Sequence, residues 1–396
     1  YCLYVMPYLK PNVPYEDNRT REEVLKYAFE ALRRNHAHFH DYDQGRRAFS
    51  SAPSTAAHDG EEIGDDFEDL ANVIRASKSE ETNWRVYATS DVHSDMQVNR
   101  DWVTRTCDNC VEPERRSILI VAGDVATDVN KVCEALRLFK KKYEEVFYCV
   151  GNHELWSPGR GEMGDSVDKF VNIINKVTEI GVRCTPAIFT SQGTNELGMK
   201  KENRVIVAPM LSWYTETFKG GTRPFTQMEV HFDGACIWPP AIGDPKDKRN
   251  SHPATLDEFW RSLGTLSLDS FLPKKFRNDE VSFLVTFGHF VPLPDLYNGT
   301  PFIEKVVGSE SLGEDVIKLR DECDCKATPG SGRSSPAGFK KGRFDFTSAT
   351  KHVHVFGHSH LNVDVELDGS RWYQKAIGYP NDRGPMPPHP PAQIYP

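Results

Sequence analysis

The chain has 396 residues, 27% of them charged and 38% hydrophobic, with a formal net charge of −9. That acidity gives no electrostatic footprint for duplex DNA or RNA, and no apolar run approaches the ~20 residues that span a bilayer, so no nucleic-acid partner and no membrane span are expected. Nine cysteines, scattered and odd in number, some inside apolar runs as at Cys149, read as a reduced, intracellular and cytoplasmic chain.

In chain order, Tyr1 to Tyr8 is apolar but broken by Pro7 and without a basic leader, a poor signal peptide. The sequence begins without Met, which leaves room for an upstream targeting segment. Thr20 with Glu23 makes a capping box, and Val24, Leu25, Ala28, Phe29 and Leu32 recur at helical spacing, so a helix with one apolar face starts here. Ser50 to Gly64 reads as a polar loop, and Phe67, Leu70, Val73 and Ile74 as a second short helix. Residues 1–82 are therefore expected to be a helical N-terminal extension without chemistry.

From residue 83 the pattern changes. Apolar strand-like runs each end in a short polar motif: Trp84 to Thr89 before Asp91-Val92-His93, Ile118 to Ala122 before Gly123-Asp124, and Val146 to Val150 before Gly151-Asn152-His153-Glu154. Val281 to Phe287 then precedes Gly288-His289, and Val353 to Phe356 precedes Gly357-His358-Ser359-His360. Helical patterns at Val132 to Tyr143 and Val167 to Ile180 alternate with these strands, which predicts an α/β architecture with the polar residues at the carboxyl ends of strands.

The motif residues are carboxylates, an amide and imidazoles, with no thiolate. Such a set suits divalent ions such as Mn, Fe, Zn or Ni. A carboxylate has two oxygens, so Asp124, in the middle of the series, can hold two ions a few Å apart. Such a pair polarises a phosphoryl oxygen and lowers the pKa of a bound water. His231 and His252 compete with His289 for a place in the set, but they lie in Pro/Gly/Asp-rich sequence, whereas His289 directly follows a strand. His352 and His354 alternate with Val353 and Val355 and read as structural residues on one strand face, toward solvent or a covering helix.

The ordered series D-x-H, G-D, G-N-H-E, H, G-H-x-H resembles that of the calcineurin-like metallophosphoesterases, over roughly Trp84 to Pro380. The resemblance implies a sandwich of two mixed β-sheets flanked by helices. It also implies two transition-metal ions, one held by Asp91, His93, Asp124 and His360, the other by Asp124, Asn152, His289 and His358, with His153 free beside the leaving group. The implied reaction is hydrolysis of a small phosphorylated substrate, a phosphomonoester, phosphodiester or pyrophosphate, by attack of a metal-bridging hydroxide.

Departures narrow this. Gly123-Asp124-Val125-Ala126-Thr127-Asp128 lacks the Arg of the protein Ser/Thr phosphatases, and Thr127 stands where purple acid phosphatases have a metal-binding Tyr. The sequence leaves open what orients His153, since Asp128 comes one residue late. A protein-binding scaffold on the same fold is the rival reading, disfavoured because every ligand and His153 are present. A nuclease would need a basic groove.

Residues 83–380 are expected to fold as one catalytic domain. The strand Arg204 to Leu211 leads into an aromatic insert, Ser212 to Pro253, whose Trp213, Tyr214, Arg223 and Trp238 either contact substrate or pack to stiffen a long loop. Ala327 to Arg343 reads as a disordered insert, and residues 381–396 as a Pro-rich extended tail with no chemistry. Cys107, Cys110, Cys323 and Cys325 form either a structural zinc site or, as their spacing favours, free thiols.

Overall fold

The computed structural model describes residues 17–50, 83–108, 110, 112–157, 164–194, 200–219, 221, 223–243, 253–277, 281–325, 350–383 and 388–395. The loop after Ser50, the short helix at Phe67 to Ile74 and the insert at Ala327 to Arg343 lie outside them. The described elements run α1 (Arg21–Ser50), β1 (Arg85–Thr89), α2 (Gln97–Cys107), β2 (Glu114–Ala122), α3 (Val129–Lys142), β3 (Tyr143–Cys149) and α4 (Ser166–Glu179). They continue with β4 (Ala187–Thr194), β5 (Lys200–Pro209), α5 (Pro253–Phe271), β6 (Phe283–Phe287), α6 (Glu310–Glu322), β7 (His352–Val355), β8 (Asn362–Leu367), β9 (Ser370–Lys375) and β10 (Ala392–Tyr395).

The strands form a four-stranded sheet, β10-β1-β2-β3, and a six-stranded sheet, β4-β5-β6-β7-β9-β8. β1, β2 and β3 are mutually parallel, as are β5, β6, β7 and β9, while β10, β4 and β8 run antiparallel to their neighbours. The parallel strands explain the continuous apolar runs: Ile118 through Ala122 are all 0% exposed, because both faces of β2 are covered. Each such side chain contributes about 1.5–3 kcal/mol relative to exposure. The sheets meet through Phe147 of β3 and Phe287 of β6, 6.2 Å between ring centroids, and through Phe283 stacked on Tyr395.

The face of β7 that carries its two histidines is covered, by Trp372 and by Ser370, which also meets Arg320 of α6, so they do not meet solvent. His352 and His354 are wholly buried and share the Thr286 hydroxyl, at 2.9 and 2.8 Å. The end of the chain also departs from expectation. Instead of an extended tail, Ala392–Tyr395 pairs with β1 as an edge strand.

α1 begins with the expected capping box, Thr20 N donating to Glu23 Oε2 and Glu23 N to Thr20 Oγ1. Val24, Ala28 and Leu32 are buried where α1 packs on α4 and α5. One polar residue fixes the docking. Asn35 is buried, its Nδ2 donating to Thr178 Oγ1 (2.8 Å) and Val182 O (2.9 Å) while its Oδ1 accepts from Cys184 N (2.8 Å). Asn35→Ala strips partners from the Cys184 N–H and the Val182 carbonyl. It is expected to cost about 1–3 kcal/mol, read as a lowered urea midpoint at unchanged slope, whereas exposed Arg33→Ala should leave the midpoint in place.

Candidate metal centre

Every motif sits just past the carboxyl end of a parallel strand: Asp91 and His93 after β1, Asp124 after β2, Asn152 and His153 after β3, His289 after β6, His358 and His360 after β7. The two sheets bring these ends together, and the turns are tight. Asp91, His93, Asp124, His358 and His360 all have φ between 45° and 69°, the left-handed region, at a cost of about 1–2 kcal/mol each. The glycines of the motifs permit the approach: a Cβ on Gly151 would lie 2.1 Å from Asp124 Oδ1, and one on Gly123 2.4 Å from His289 Nδ1.

Three imidazoles are fixed from outside. His289 Nδ1 is 3.0 Å from the Ala122 carbonyl, His358 Nε2 is 2.8 Å from the Val306 carbonyl, and His360 Nδ1 is 2.6 Å from the Asp382 carboxylate. These oxygens accept, so the nitrogens facing them carry a proton, and the other nitrogen of each ring is the one that can offer a lone pair. Those nitrogens converge. His289 Nε2 is 3.2 Å from His358 Nδ1, and Asn152 Oδ1 lies 3.1 and 3.0 Å from the two. His289 Nε2 is also 3.4 Å from Asp124 Oδ1. On the other side of the same carboxylate, His93 Nε2 is 3.9 Å from Asp124 Oδ2 and 3.0 Å from His360 Nε2, which is 3.6 Å from Asp91 Oδ1.

Acceptor atoms facing one another at hydrogen-bond distance are complementary to a cation. The donor set fits a divalent ion on each side of Asp124. The pocket itself draws positive charge: burial pulls the His289 imidazole down, but Asp124 and Asp91 beside it push it up to about 9. Burial holds His358 down at about 3. The expected residues thus all meet in one place, and His231 lies outside the side-chain groups that could hold a metal ion among the described residues. Those groups contain no cysteine, and the described cysteines are all free.

Three supporting carboxylates complete the site, and only Glu154 lies in a sequence motif. The buried Glu154 carboxylate accepts from Asp124 N (3.0 Å), Val125 N (2.6 Å) and Gly151 N (2.8 Å), stitching the turns after β2 and β3 together. Asp233, inside the aromatic insert, accepts from Asn152 Nδ2 (2.8 Å) and Trp156 Nε1 (2.7 Å). That contact settles the amide orientation, because a carboxylate needs the NH2 and so turns Asn152 Oδ1 toward the histidines. Asp382, in the segment expected to be a tail without chemistry, holds His360. Glu154, the last residue of the G-N-H-E motif, is visible in sequence, but a carboxylate more than twenty residues past a ligand or in the middle of an insert is not.

His153 faces the same cluster, its Nε2 3.9 Å from Asp124 Oδ2, and together with His93 and Asp124 it forms a third group of potential ligands. Its ring lies against Trp156 at 3.7 Å and its Nε2 is 3.1 Å from the Tyr379 hydroxyl, which answers what orients it. Burial, partly offset by Asp124, pulls its pKa down to about 4. Asp128 instead caps α3. In the insert, Trp213 and Trp238 are 1% exposed and Tyr214 4%, packed on one another and on Phe290, while Arg223 pairs with Glu229. The insert's aromatics stiffen it, as the packing alternative has it.

Comparison with known proteins agrees with this geometry. The model of the calcineurin-like phosphoesterase family matches residues 85–362. Acyl-carrier-protein phosphodiesterase PptH of Mycobacterium tuberculosis is 30% identical over 100 residues, 24% of this chain and 29% of that protein. The crystal structure of phosphopantetheinyl hydrolase (PptH) from Mycobacterium tuberculosis shares the fold, with a TM-score of 0.51 at 18% identity over 80% of this chain and 97% of that one. The calcineurin-like phosphoesterase YfkN from Bacillus subtilis matches with a TM-score of 0.32 at 11% identity, over 72% of this chain and 74% of that one. The sequence match to PptH thus takes in under a third of its length.

The Asp233 contact gives a test away from the ligands. Asp233→Ala frees the Asn152 amide to rotate, and a lost partner behind a ligand typically costs 10–100-fold in metal affinity. A drop of about that size, measured by competition with a chelating indicator, is the expected outcome, with the fold intact by circular dichroism.

Proposed function

This chain belongs to the calcineurin-like phosphoesterase family, and from that premise we propose that it is a hydrolase of phosphate esters working with two divalent ions. The observation that carries the reading is the convergence of lone-pair atoms on both sides of the Asp124 carboxylate. One ion is assigned to Asp91, His93, Asp124 and His360, the other to Asp124, Asn152, His289 and His358. Oxygen and nitrogen donors without thiolate suit Mn, Fe, Zn or Ni. Bound there, such ions supply an activated water and neutralise charge on a phosphoryl group displaced in line.

The chain's own residues set up the rest. Asp233 and Asp382 hold Asn152 and His360 in orientation, and the Ala122 and Val306 carbonyls fix which nitrogen of His289 and His358 faces inward. His153 is assigned to the leaving group. Its Nε2 meets a hydroxyl at the edge of the cluster, and its side chain keeps 13% exposure against 2% for His93. From there, once the negative charge of a bound phosphate ester favours its imidazolium form over the neutral ring that burial prefers, it would protonate the departing oxygen.

The printed activity of the relative, an acyl-carrier-protein phosphodiesterase, supports a phosphodiester as substrate; for this chain we infer a small phosphorylated molecule, its acidic charge counting against a nucleic acid. Free cysteines, all but Cys110 buried among those described, support a reducing, intracellular setting. No helix among the described residues is long and apolar enough to cross a membrane.

Two substitutions test the reading. Asp124→Asn removes one carboxylate oxygen from the shared position, so metal analysis should fall from two ions per chain and turnover of a phosphodiester panel with added Mn should vanish. A single tightly held ion, untouched by this change, would overturn the two-ion assignment. His153→Asn should keep both ions while slowing alkyl esters by ~10²–10⁴-fold and nitrophenyl esters far less, since nitrophenolate departs without a proton. Equal losses on both would move His153 to stabilising charge on the phosphoryl group.

A further inference from the structure

We propose that the groove between α2 and α3 is a subsite for a second anionic group of the substrate, so that the compound cleaved at the metal centre is an extended phosphodiester with a phosphate at its far end. The inference rests on the phosphoesterase reading. The groove is a cavity of about 290 Å³, close to the lower end of ligand pockets. Arg100, Lys131, Arg137 and Lys141 line it against a single carboxylate, Glu134. A rim of that sign stands out on a chain whose net charge is −9. Val103, Ala135 and Leu138 add apolar surface between the cations, which suits an anion carried on an apolar body better than a free inorganic ion.

Position ties the groove to the site. α2 and α3 both leave from the loops that carry His93 and Asp124. Ser94, next to His93, lines the near end, where Arg100 Nε donates to the Ser94 carbonyl (3.2 Å). Asp95 joins the two loops, accepting from Thr127 N (2.6 Å) and from Lys131 Nζ (3.2 Å). Arg100 and Lys131 are thus already engaged in holding the loops. Arg137 and Lys141 are not: both are exposed, one turn apart on α3, and neither meets a carboxylate among the described residues. At 1.5 Å per residue they lie about 9 and 15 Å beyond Lys131 along the helix axis, a span that only a ligand longer than a simple phosphomonoester can bridge from the metal centre. Two cations at the far end match one terminal phosphate rather than the regularly spaced charges of a nucleic acid.

The test compares two nitrophenyl phosphodiesters of octanediol on the full chain with Mn, one free at the far hydroxyl and one phosphorylated there. The native protein should show a KM about 10-fold lower for the phosphorylated compound at similar kcat, because a contact remote from the reacting phosphorus binds ground state and transition state alike. Replacing both far cations, Arg137→Gln with Lys141→Gln, should raise that KM to the value for the hydroxyl compound. The pair Lys26→Gln with Arg33→Gln removes the same charge from exposed positions of α1 and should keep the preference. A native KM ratio near one, or a preference that survives the loss of Arg137 and Lys141, would overturn the inference. So would a single-stranded oligonucleotide that displaces octyl phosphate from the native chain but not from the variant lacking the two cations, since the groove would then serve a polymer. If the native protein cleaves neither diester, the phosphoesterase reading fails instead, and calorimetry of octyl phosphate on the metal-free chain still decides the groove: binding lost in the Arg137→Gln, Lys141→Gln variant supports it, and equal or absent binding in both sinks it.

Discussion

The structure is organised around a set of electron-rich atoms forced to face one another. The Asp91 and Asp124 carboxylates are 0% and 2% exposed, and His93 and His289 are 2% and 3% exposed. Burying such groups without opposite charge is costly, since each loses its hydration while repelling the others. The protein offsets part of that cost with backbone donors: His358 N donates to Asp91 Oδ1 (2.7 Å) and His153 N to Asp124 Oδ1 (3.1 Å). The remaining deficit of positive charge is what makes the place a cation site.

Holding the cluster requires that the carboxyl ends of five strands, β1, β2, β3, β6 and β7, lie close to one another. Parallel pairing does this by stacking carboxyl ends, and the left-handed turns at Asp91, Asp124 and His358 then fold each side chain back over the sheet edge. Glu154 bridges the turns after β2 and β3, so the second and third motifs move as one piece. Lys169 of α4 adds to this, its buried Nζ donating to the Thr127 carbonyl (2.8 Å) and to that of Trp156. The helix behind the site is thereby pinned to the loops in front of it.

Both ends of the described chain serve this frame. α1 covers α4 and α5, and through Asn35 it grips the segment between α4 and β4. At the other end, Gly378 to Arg383 crosses the site before β10 closes the edge of the four-stranded sheet. β10 pairs the outer side of β1 and becomes the edge in its place, and at four residues it is a short edge, which limits the template it offers for aggregation. The approach to the cluster is consequently built from residues remote in sequence: Trp156 beside the third motif, Asp233 in the insert, Tyr379 past the last strand of the larger sheet.

Much of this was legible beforehand. The alternation of apolar runs with ligand-rich turns announced the parallel strands and where the chemistry lies, because burial on both faces demands unbroken apolar sequence and catalysis needs polar groups at its ends. The seven residues expected as ligands and His153 all meet in the fold. The misreadings have a common cause. Alternation alone leaves His352 and His354 facing either solvent or a covering helix, and only the fold shows them buried against Trp372 and Ser370 of β9, with Arg320 of α6 alongside. The tail looks inert because Pro-rich composition says nothing of what lies beside it, and Asp382 acquires its role from a histidine brought to it by the fold. Donor types and their order are local properties of the chain, fixed by sequence. Orientation, tautomer and spacing depend on contacts between segments far apart, and those were decided only when the two sheets packed together.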